Sequence, residues 1–281
     1  MKTVVVIIVS AIVQGLTEFF PISSSGHLLL AQHFFGYKRE SSLVLNAALH
    51  LGTLVAIILG YRKVIWKLIL EACGLVSKCV TRKKEVGDEY YKRLLLLLTV
   101  STAPLVLTFF FRGFYERVMG LDNMLLLGIF FMFTALFMEV SGRRTRGFKN
   151  AMGMKYSEAF LMGILQALLA PLPGISRSGL TIAVGLFLGL AIKYCVMYAF
   201  LLGIPTILGA GVVILCESWG NFAYGEIGLM CAGALLAACI GYACINVLTE
   251  IIRRRKFYIF SFYTLGVGIF TVSAWLFEEF F

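Results

Sequence analysis

Gln14-Gly15-Leu16-Thr17-Glu18-Phe19-Phe20-Pro21-Ile22-Ser23-Ser24-Ser25-Gly26-His27 sets a carboxylate, three adjacent serine hydroxyls and an imidazole inside an oily stretch. Apolar residues precede it from Val4 to Val13 and follow it from Leu28 to Leu30. An ionisable side chain at membrane depth costs about 2.5–3.5 kcal/mol on insertion scales, so such groups persist where they face a cavity or carry out a task. The segment therefore reads as a site, placed at a Pro/Gly/Ser turn between two apolar runs.

Composition around this segment is that of a polytopic membrane protein. Of 281 residues, 60% are hydrophobic and 14% charged, and the mean hydropathy is +0.90. Soluble domains carry about 25% charged residues, and a globule of this length cannot hide so much apolar surface. The opening apolar run leads into Glu18 rather than a small-residue cleavage site, so no cleavable signal is expected. The seven cysteines (73, 79, 195, 216, 231, 239 and 244) show no CxxC or Cys/His metal spacing. They read as small buried hydrophobes.

Ten apolar stretches follow one another, at roughly 4–20, 26–36, 43–61, 94–111, 121–140, 157–170, 178–192, 194–216, 227–249 and 257–277. A bilayer crossing takes about 20 helical residues, with a range of about 17–25. The second stretch is too short and the sixth and seventh are marginal. Each belongs to a pair joined by a polar turn, Pro21 to Gly26 in one case and Pro171 to Gly179 in the other. Such pairs fit re-entrant hairpins, whose irregular tips are tolerated only where protein or a water-filled cavity surrounds them. The expected architecture is all-α, with six full transmembrane helices plus two re-entrant helix hairpins in a single membrane domain, 1–281.

The net charge of +10 is read by position. Nine basic residues fall in 62–93 (Arg62, Lys63, Lys67, Lys78, Arg82, Lys83, Lys84, Lys92 and Arg93) and five in 143–155 (Arg143, Arg144, Arg146, Lys149 and Lys155). Four more occupy 253–256, and Lys193 adds one. The other side holds Lys2, Lys38, Arg39, Arg112 and Arg117, with Glu217, Glu226, Glu278 and Glu279. The positive-inside rule puts the first group in the cytoplasm. Solvated loops beside anionic lipid account for that charge, so no nucleic-acid partner is expected. Arg177 belongs to neither side.

With this orientation the first hairpin enters from the outer face and the second from the cytoplasmic face. An internal repeat points the same way. Gln14 precedes Pro21 by seven residues, and Gln166 precedes Pro173 by seven. Ser23-Ser24-Ser25-Gly26 has its counterpart in Ser176-Arg177-Ser178-Gly179, and Ala48-x-x-Leu51-Gly52 in Ala199-x-x-Leu202-Gly203. Two halves of opposite orientation, approximately 1–150 and 151–281, make an inverted-topology repeat, in which broken helices meet near the midplane and build a binding site.

Helix starts follow both tips, with Ser24 or Ser25 as expected cap in the first and Ser176 or Ser178 in the second. Two facing helix N-termini with Arg177 between them suit a polyanion such as a diphosphate. Glu18 lies one turn after Gln14 on the same helix face, and His27 falls in the first turn of the next helix, close to the serines. Carboxylate, hydroxyls, imidazole and guanidinium together are what phosphoryl transfer needs. His33 and His50 are read as structural.

At these residues the chain resembles the BacA family of undecaprenyl-diphosphate phosphatases. The resemblance rests on Gln14-Gly15-Leu16-Thr17-Glu18, Ser23-Ser24-Ser25-Gly26-His27, and Pro173-Gly174-Ile175-Ser176-Arg177-Ser178-Gly179-Leu180-Thr181, and it covers essentially the whole chain. It implies hydrolysis of a C55 polyprenyl diphosphate to the monophosphate, recycling a cell-wall lipid carrier in the bacterial cytoplasmic membrane, and bacitracin resistance when abundant. It also implies help from a divalent cation. Gln14 stands where many members have a second glutamate. With Glu18 as the one carboxylate at the tip, Mg²⁺ or Ca²⁺ is expected to arrive on the diphosphate rather than in an all-protein cage. No organic cofactor and no protein metal ligand are expected.

The catalytic set expected is Glu18, Ser24, His27 and Arg177. Gln14, Ser23, Ser25, Gly26, Ser176, Ser178 and Thr181 are expected to hold the substrate. Ser24, activated by Glu18 or His27, attacks the terminal phosphorus; direct attack by water with His27 as base is the alternative. The pocket is expected to face the periplasm. Gly203, Gly209 and Gly211 offer positions for close helix association, which leaves a homodimer open. A polyprenyl-phosphate flippase is the competing reading, since inverted repeats with broken helices are also a transporter architecture.

Overall fold

A computed structural model describes residues 2–35, 39–81, 88–120, 123–143, 147–217, 224–254 and 256–280. Lys38, Arg82, Lys83, Lys84, Arg144, Arg146 and Arg255, and most of the 217–226 loop, lie outside the described residues.

Among the described residues, nine of the ten apolar stretches form one helix each, and the stretch at 94–111 is broken by a 3₁₀ turn. The first pair is α1 (Lys2–Thr17) and α2 (Ser24–Phe35), followed by α3 (Arg39–Gly60). The basic region opens with α4 (Arg62–Thr81). Next come α5 (Glu89–Thr102), a 3₁₀ turn over Ala103–Leu105, the short α6 (Val106–Phe110), α7 (Arg112–Gly120) and α8 (Met124–Gly142). The second pair is α9 (Tyr156–Leu169) and α10 (Arg177–Phe187). Three long helices close the chain: α11 (Ile192–Glu217), α12 (Tyr224–Arg253) and α13 (Tyr258–Phe280).

Among the described residues, six helical segments are long and apolar enough to cross a membrane: Leu43–Gly60, Glu89–Phe110, Met124–Gly142, Ile192–Ile214, Ile227–Arg253 and Tyr258–Phe280. Thr3–Thr17, Tyr156–Leu169 and Arg177–Phe187 are apolar but shorter. The described residues are those of an all-helical, multi-pass membrane protein.

Two helices depart from the expectation. Residues 62–81 read as basic loop, yet they form α4, which packs on α3 and α5. Charges at Arg62, Lys63, Lys67 and Glu71 hold the mean hydropathy down while recurring about once per turn, which leaves an apolar stripe. Arg112–Gly120 likewise forms α7. Arg93, counted as a cytoplasmic charge, also staples the structure: its guanidinium donates to the carbonyls of Ala151 and Met154 at 2.8 and 2.9 Å.

Amphipathic faces decide how the short helices sit. Val4, Ile8, Ile12 and Leu16 recur every four residues on the exposed side of α1, while Ile7, Ala11 and Gln14 are buried. The buried face packs on α12 and α3. In the other half, α9 packs on α5, and α10 packs on α8 and α11. α3 and α11 also pack on each other, and α8 packs along α13. These contacts bring the α1–α2 and α9–α10 turns into the middle of the molecule.

Candidate active site

Helix α1 stops where Pro21 removes a backbone donor. Between the helix end and Pro21 the chain passes through buried Phe19, whose ring packs edge-on against Phe200 at 5.6 Å. Ser23 takes a left-handed backbone conformation, φ 70°, which is costly for a residue with a Cβ and is held only where surroundings impose it. What imposes it here is its double duty. Its carbonyl accepts from the His27 ring Nδ1 at 2.7 Å, and its hydroxyl accepts from the Gly26 amide at 3.3 Å. Ser23, rather than the expected Ser24 or Ser25, is thus the cap of α2. The second tip turns at Gly174, φ 91°, and Ser176 caps α10 by accepting from the Gly179 amide at 3.0 Å. Thr134 of α8 fixes that tip, donating to the Gly174 carbonyl at 3.0 Å and accepting from the Ser176 amide at 3.2 Å.

The two tips touch. A Cβ on Gly26 would lie 3.0 Å from the Gly174 Cα, and one on Gly179 would lie 3.1 Å from the Pro21 carbonyl oxygen. Only a bare backbone fits at that crossing. The first helical residue of each tip, Ser24 in α2 and Arg177 in α10, then reaches the same carboxylate. Ser24 Oγ donates to Glu18 Oε2 at 2.6 Å, and Arg177 Nη2 donates to Glu18 Oε1 at 2.6 Å. Gln14 Nε2 adds a third bond, to Oε2 at 3.0 Å, and reaches Thr53 on α3 at 3.4 Å. Residues 159 positions apart in sequence thus share one buried anion.

A cavity of ≈ 270 Å³ opens over this pair, ample when one ordered water takes about 10–15 Å³. Glu18, Ser23, Ser24, Ser25, Ser176, Arg177 and Ser178 line it, with His50, Gln166 and Thr206. Leu105 at the end of the 3₁₀ turn, and Ile207 and Ala210 of α11, form its apolar walls, with Thr108 beside them. The amides of Ser24, Ser25, Arg177 and Ser178 are first-turn N–H groups with no partner inside their helices, so both N-termini offer donors and partial positive charge. Arg177 Nη1 is buried without a hydrogen-bond partner, as is Gln14 Oε1. Beyond the cavity, Arg112 of α7 pairs with Glu217 at the end of α11. That hydrogen bond from the guanidinium holds the exposed Glu217 carboxyl below its usual range.

Of the expected site residues, then, the structure gathers Glu18, Ser23, Ser24, Ser25, Ser176, Arg177 and Ser178 around one cavity. Gln14 sits directly behind, and Gly26 supports the crossing. Thr181 lies a turn behind Arg177, donating to the Arg177 carbonyl at 2.9 Å and reaching Gln166 Oε1 at 3.3 Å. His27 is turned away from the cavity. With Nδ1 donating to Ser23, its Nε2 accepts from the Tyr263 hydroxyl at 3.0 Å, and the ring stacks on Tyr263. The imidazole at the cavity is His50, whose Nε2 lies 3.6 Å from Glu18 Oε2. Read from sequence as structural, His50 has the buried carboxylate as its neighbour. An ionisable ring in the middle of an apolar span was the available signal. Gln166 and Thr206 were likewise missed, although Gln166 matches Gln14 in the repeat. Gly203 is spent inside the chain, since a Cβ there would overlap the Arg177 guanidinium.

Against known proteins, residues 7–270 match the family described as Bacitracin resistance protein BacA. The chain belongs to the BacA family. Known relatives match the chain along nearly its whole length. An undecaprenyl-diphosphatase of Carboxydothermus hydrogenoformans is 36% identical over 273 residues, covering 95% of this chain and 96% of the relative. One from Methanobrevibacter smithii is 36% identical over 266 residues, 93% of this chain and 94% of its own. Another, from Desulfosudis oleivorans, is 34% identical over 272 residues, 96% and 97% of the two chains.

Among the described residues no three His, Cys, Asp or Glu side chains are placed to hold a metal ion. Both oxygens of Glu18 already accept hydrogen bonds from protein donors. The residues present do not fit a protein-held divalent ion.

Proposed function

We propose that this protein is an integral-membrane phosphatase that hydrolyses undecaprenyl diphosphate to undecaprenyl phosphate and inorganic phosphate, which recycles the cell-wall lipid carrier and confers bacitracin resistance. The observation that carries the reading is the single carboxylate of Glu18, held at 2.6 Å by a serine from one helix tip and at 2.6 Å by an arginine from the other. A serine donating to a buried carboxylate is an activated nucleophile. A guanidinium and two helix N-termini beside it supply the electrostatic cradle for a transferring phosphoryl group.

In the mechanism we propose, Ser176, Ser178 and the free first-turn amides hold the diphosphate, and Arg177 faces the terminal phosphoryl group. Ser24 Oγ attacks the terminal phosphorus, its proton passes to Glu18, and the bridging P–O bond breaks with lipid monophosphate leaving. Water then cleaves the phosphoserine. His27 braces the Ser23 carbonyl and so keeps the tip in shape; no proton transfer is assigned to it. One arginine and two partial helix charges do not balance a diphosphate, which gives an Mg²⁺ or Ca²⁺ ion carried in on the substrate a reason to assist.

The architecture we infer is an inverted repeat of residues 1–150 and 151–281, with α1–α2 and α9–α10 as re-entrant hairpins from opposite faces. Matching details support it. Ser23 and Ser176 cap equivalent helices, Ser24 and Arg177 hold equivalent first positions, and Gln14 and Gln166 donate to Thr53 and Thr206 on the following spans. On this reading the protein lies in the cytoplasmic membrane with the cavity open toward the periplasm.

Phosphate release from C55 diphosphate by the purified protein in detergent tests the function. Turnover is the expected result, and a flippase alone would release none. Ser24→Ala is expected to lose about 10²-fold or more, within the usual span for an activated nucleophile and its base. Near-normal turnover in that variant would instead assign the attack to water.

A further inference from the structure

We propose that His50 is a second proton-transfer residue of this site, taking from Glu18 the proton that Ser24 gives up when it is phosphorylated. The inference rests on the hydrolytic reading above and deepens it. His50 sits in the middle of α3 and lines the cavity, with 28% of its side chain exposed there. Its ring is oriented by the Asn46 carbonyl, 2.8 Å from Nδ1. A carbonyl only accepts, so Nδ1 carries the hydrogen and Nε2 is the nitrogen presented to Glu18. That nitrogen lies 3.6 Å from Oε2, the same oxygen that accepts from Ser24. A neutral ring would face the carboxylate lone pair to lone pair. The arrangement is favourable when a proton resides on one of the two, which makes the pair a place to store one.

The chemistry has a proton to store. In the first half-reaction the Ser24 O–P bond forms, the bridging P–O bond breaks, and the electron pair leaves with the lipid monophosphate. The serine proton passes to Glu18 Oε2 and then to His50 Nε2. In the second half-reaction water adds one O–P bond and the Ser24 O–P bond breaks. One water proton returns to Ser24, the other stays on the phosphate, and the proton on His50 is the one released overall. Glu18 is thereby restored as a charged partner for Arg177 before phosphoserine is hydrolysed.

Among the described residues, few other groups bear on His50. Glu18 faces it directly and Arg177 lies across Glu18. α1 brings Gln14, which is neutral. α11 and α12 pack on α3, but their charged residues, Lys193 and Glu217, and Glu226, Glu250 and Arg253, stand near the helix ends. α4 begins at Arg62, three turns beyond His50. His27 and His33 of α2 are committed to Tyr263 and Glu278 of α13.

The test is the pH–rate profile of phosphate release for wild type, H50Q and the double variant Q14E/H50Q. Gln14 Nε2 already touches Glu18 Oε2 at 3.0 Å, so a glutamate at position 14 puts a titratable group back on that oxygen. H50Q is expected to lower kcat by about 10²-fold, at the low end of general acid–base catalysis, with KM little changed and the acid limb of the profile displaced. Q14E/H50Q is expected to regain much of the rate with a limb at a different pH, which a packing defect at position 50 would not allow. An active wild type whose H50Q variant keeps both rate and profile overturns this inference alone. So does an H50Q loss that Q14E leaves unrelieved. A wild type that releases no phosphate overturns the hydrolytic reading, and this inference with it.

Discussion

Arg177→Ala is expected to lower phosphate release by about 10³–10⁵-fold, the range of one arginine acting on a transferring phosphoryl group. The guanidinium reaches the site from α10, gives one nitrogen to Glu18 at 2.6 Å, and keeps Nη1 buried with no partner. An orphan donor of that kind carries a desolvation cost. Lysine keeps the charge but not the fork, so Arg177→Lys is expected to recover only a small part of the rate. Removing the arginine also strands a carboxylate whose side chain is 6% exposed, and breaking a buried pair in this way costs about 3–5 kcal/mol. Thermal unfolding in detergent, measured beside activity, separates that loss from the chemical one. Gly203→Ala tests the same placement from the other side, because its methyl group would occupy the guanidinium's position. It is expected to depress kcat with Arg177 intact. An Arg177→Ala variant with wild-type turnover would show that the phosphates bind elsewhere.

Second in size is Glu18→Gln, with an expected loss of about 10²–10⁴-fold in kcat, the span of a positioned general base. The amide is nearly isosteric and can still accept from Ser24 through its oxygen. It holds no negative charge opposite Arg177 and takes no proton from Ser24. The loss should therefore fall on kcat more than on KM. Binding of lipid diphosphate is expected to persist in this variant, measured by protection from thermal unfolding, because removing the anion frees Arg177 for the phosphates. A Glu18→Gln enzyme with near-normal kcat would mean that the serine's proton leaves by another route.

The positions of the ten apolar helical stretches were legible from residue order alone, since hydropathy, Pro/Gly/Ser breaks and run length are local properties. So was the pairing of the Ser-x-Ser-Gly tips, each placed at a helix start. α4 and α7 were not, because a mean over a charged stretch hides an amphipathic stripe that becomes visible only when helical period is applied. The caps were off by one at the first tip: Ser23 closes α2 from a left-handed conformation that residue type does not favour.

What the chain order by itself determined is the inventory: Glu18, the serines and Arg177 each sit at a helix break, and each is too polar to be left facing lipid. Which of the three imidazoles meets the carboxylate was decided by tertiary structure. His27 follows the serines by two residues yet points to Tyr263, while His50, 32 positions from Glu18, faces it across the α1–α3 contact. Direction around a helix changes by about 100° per residue, so adjacency along the chain places a ring on a helix but not toward a partner. Only the packing of α2 against α13 and of α3 against α1 sets which rings reach the cavity.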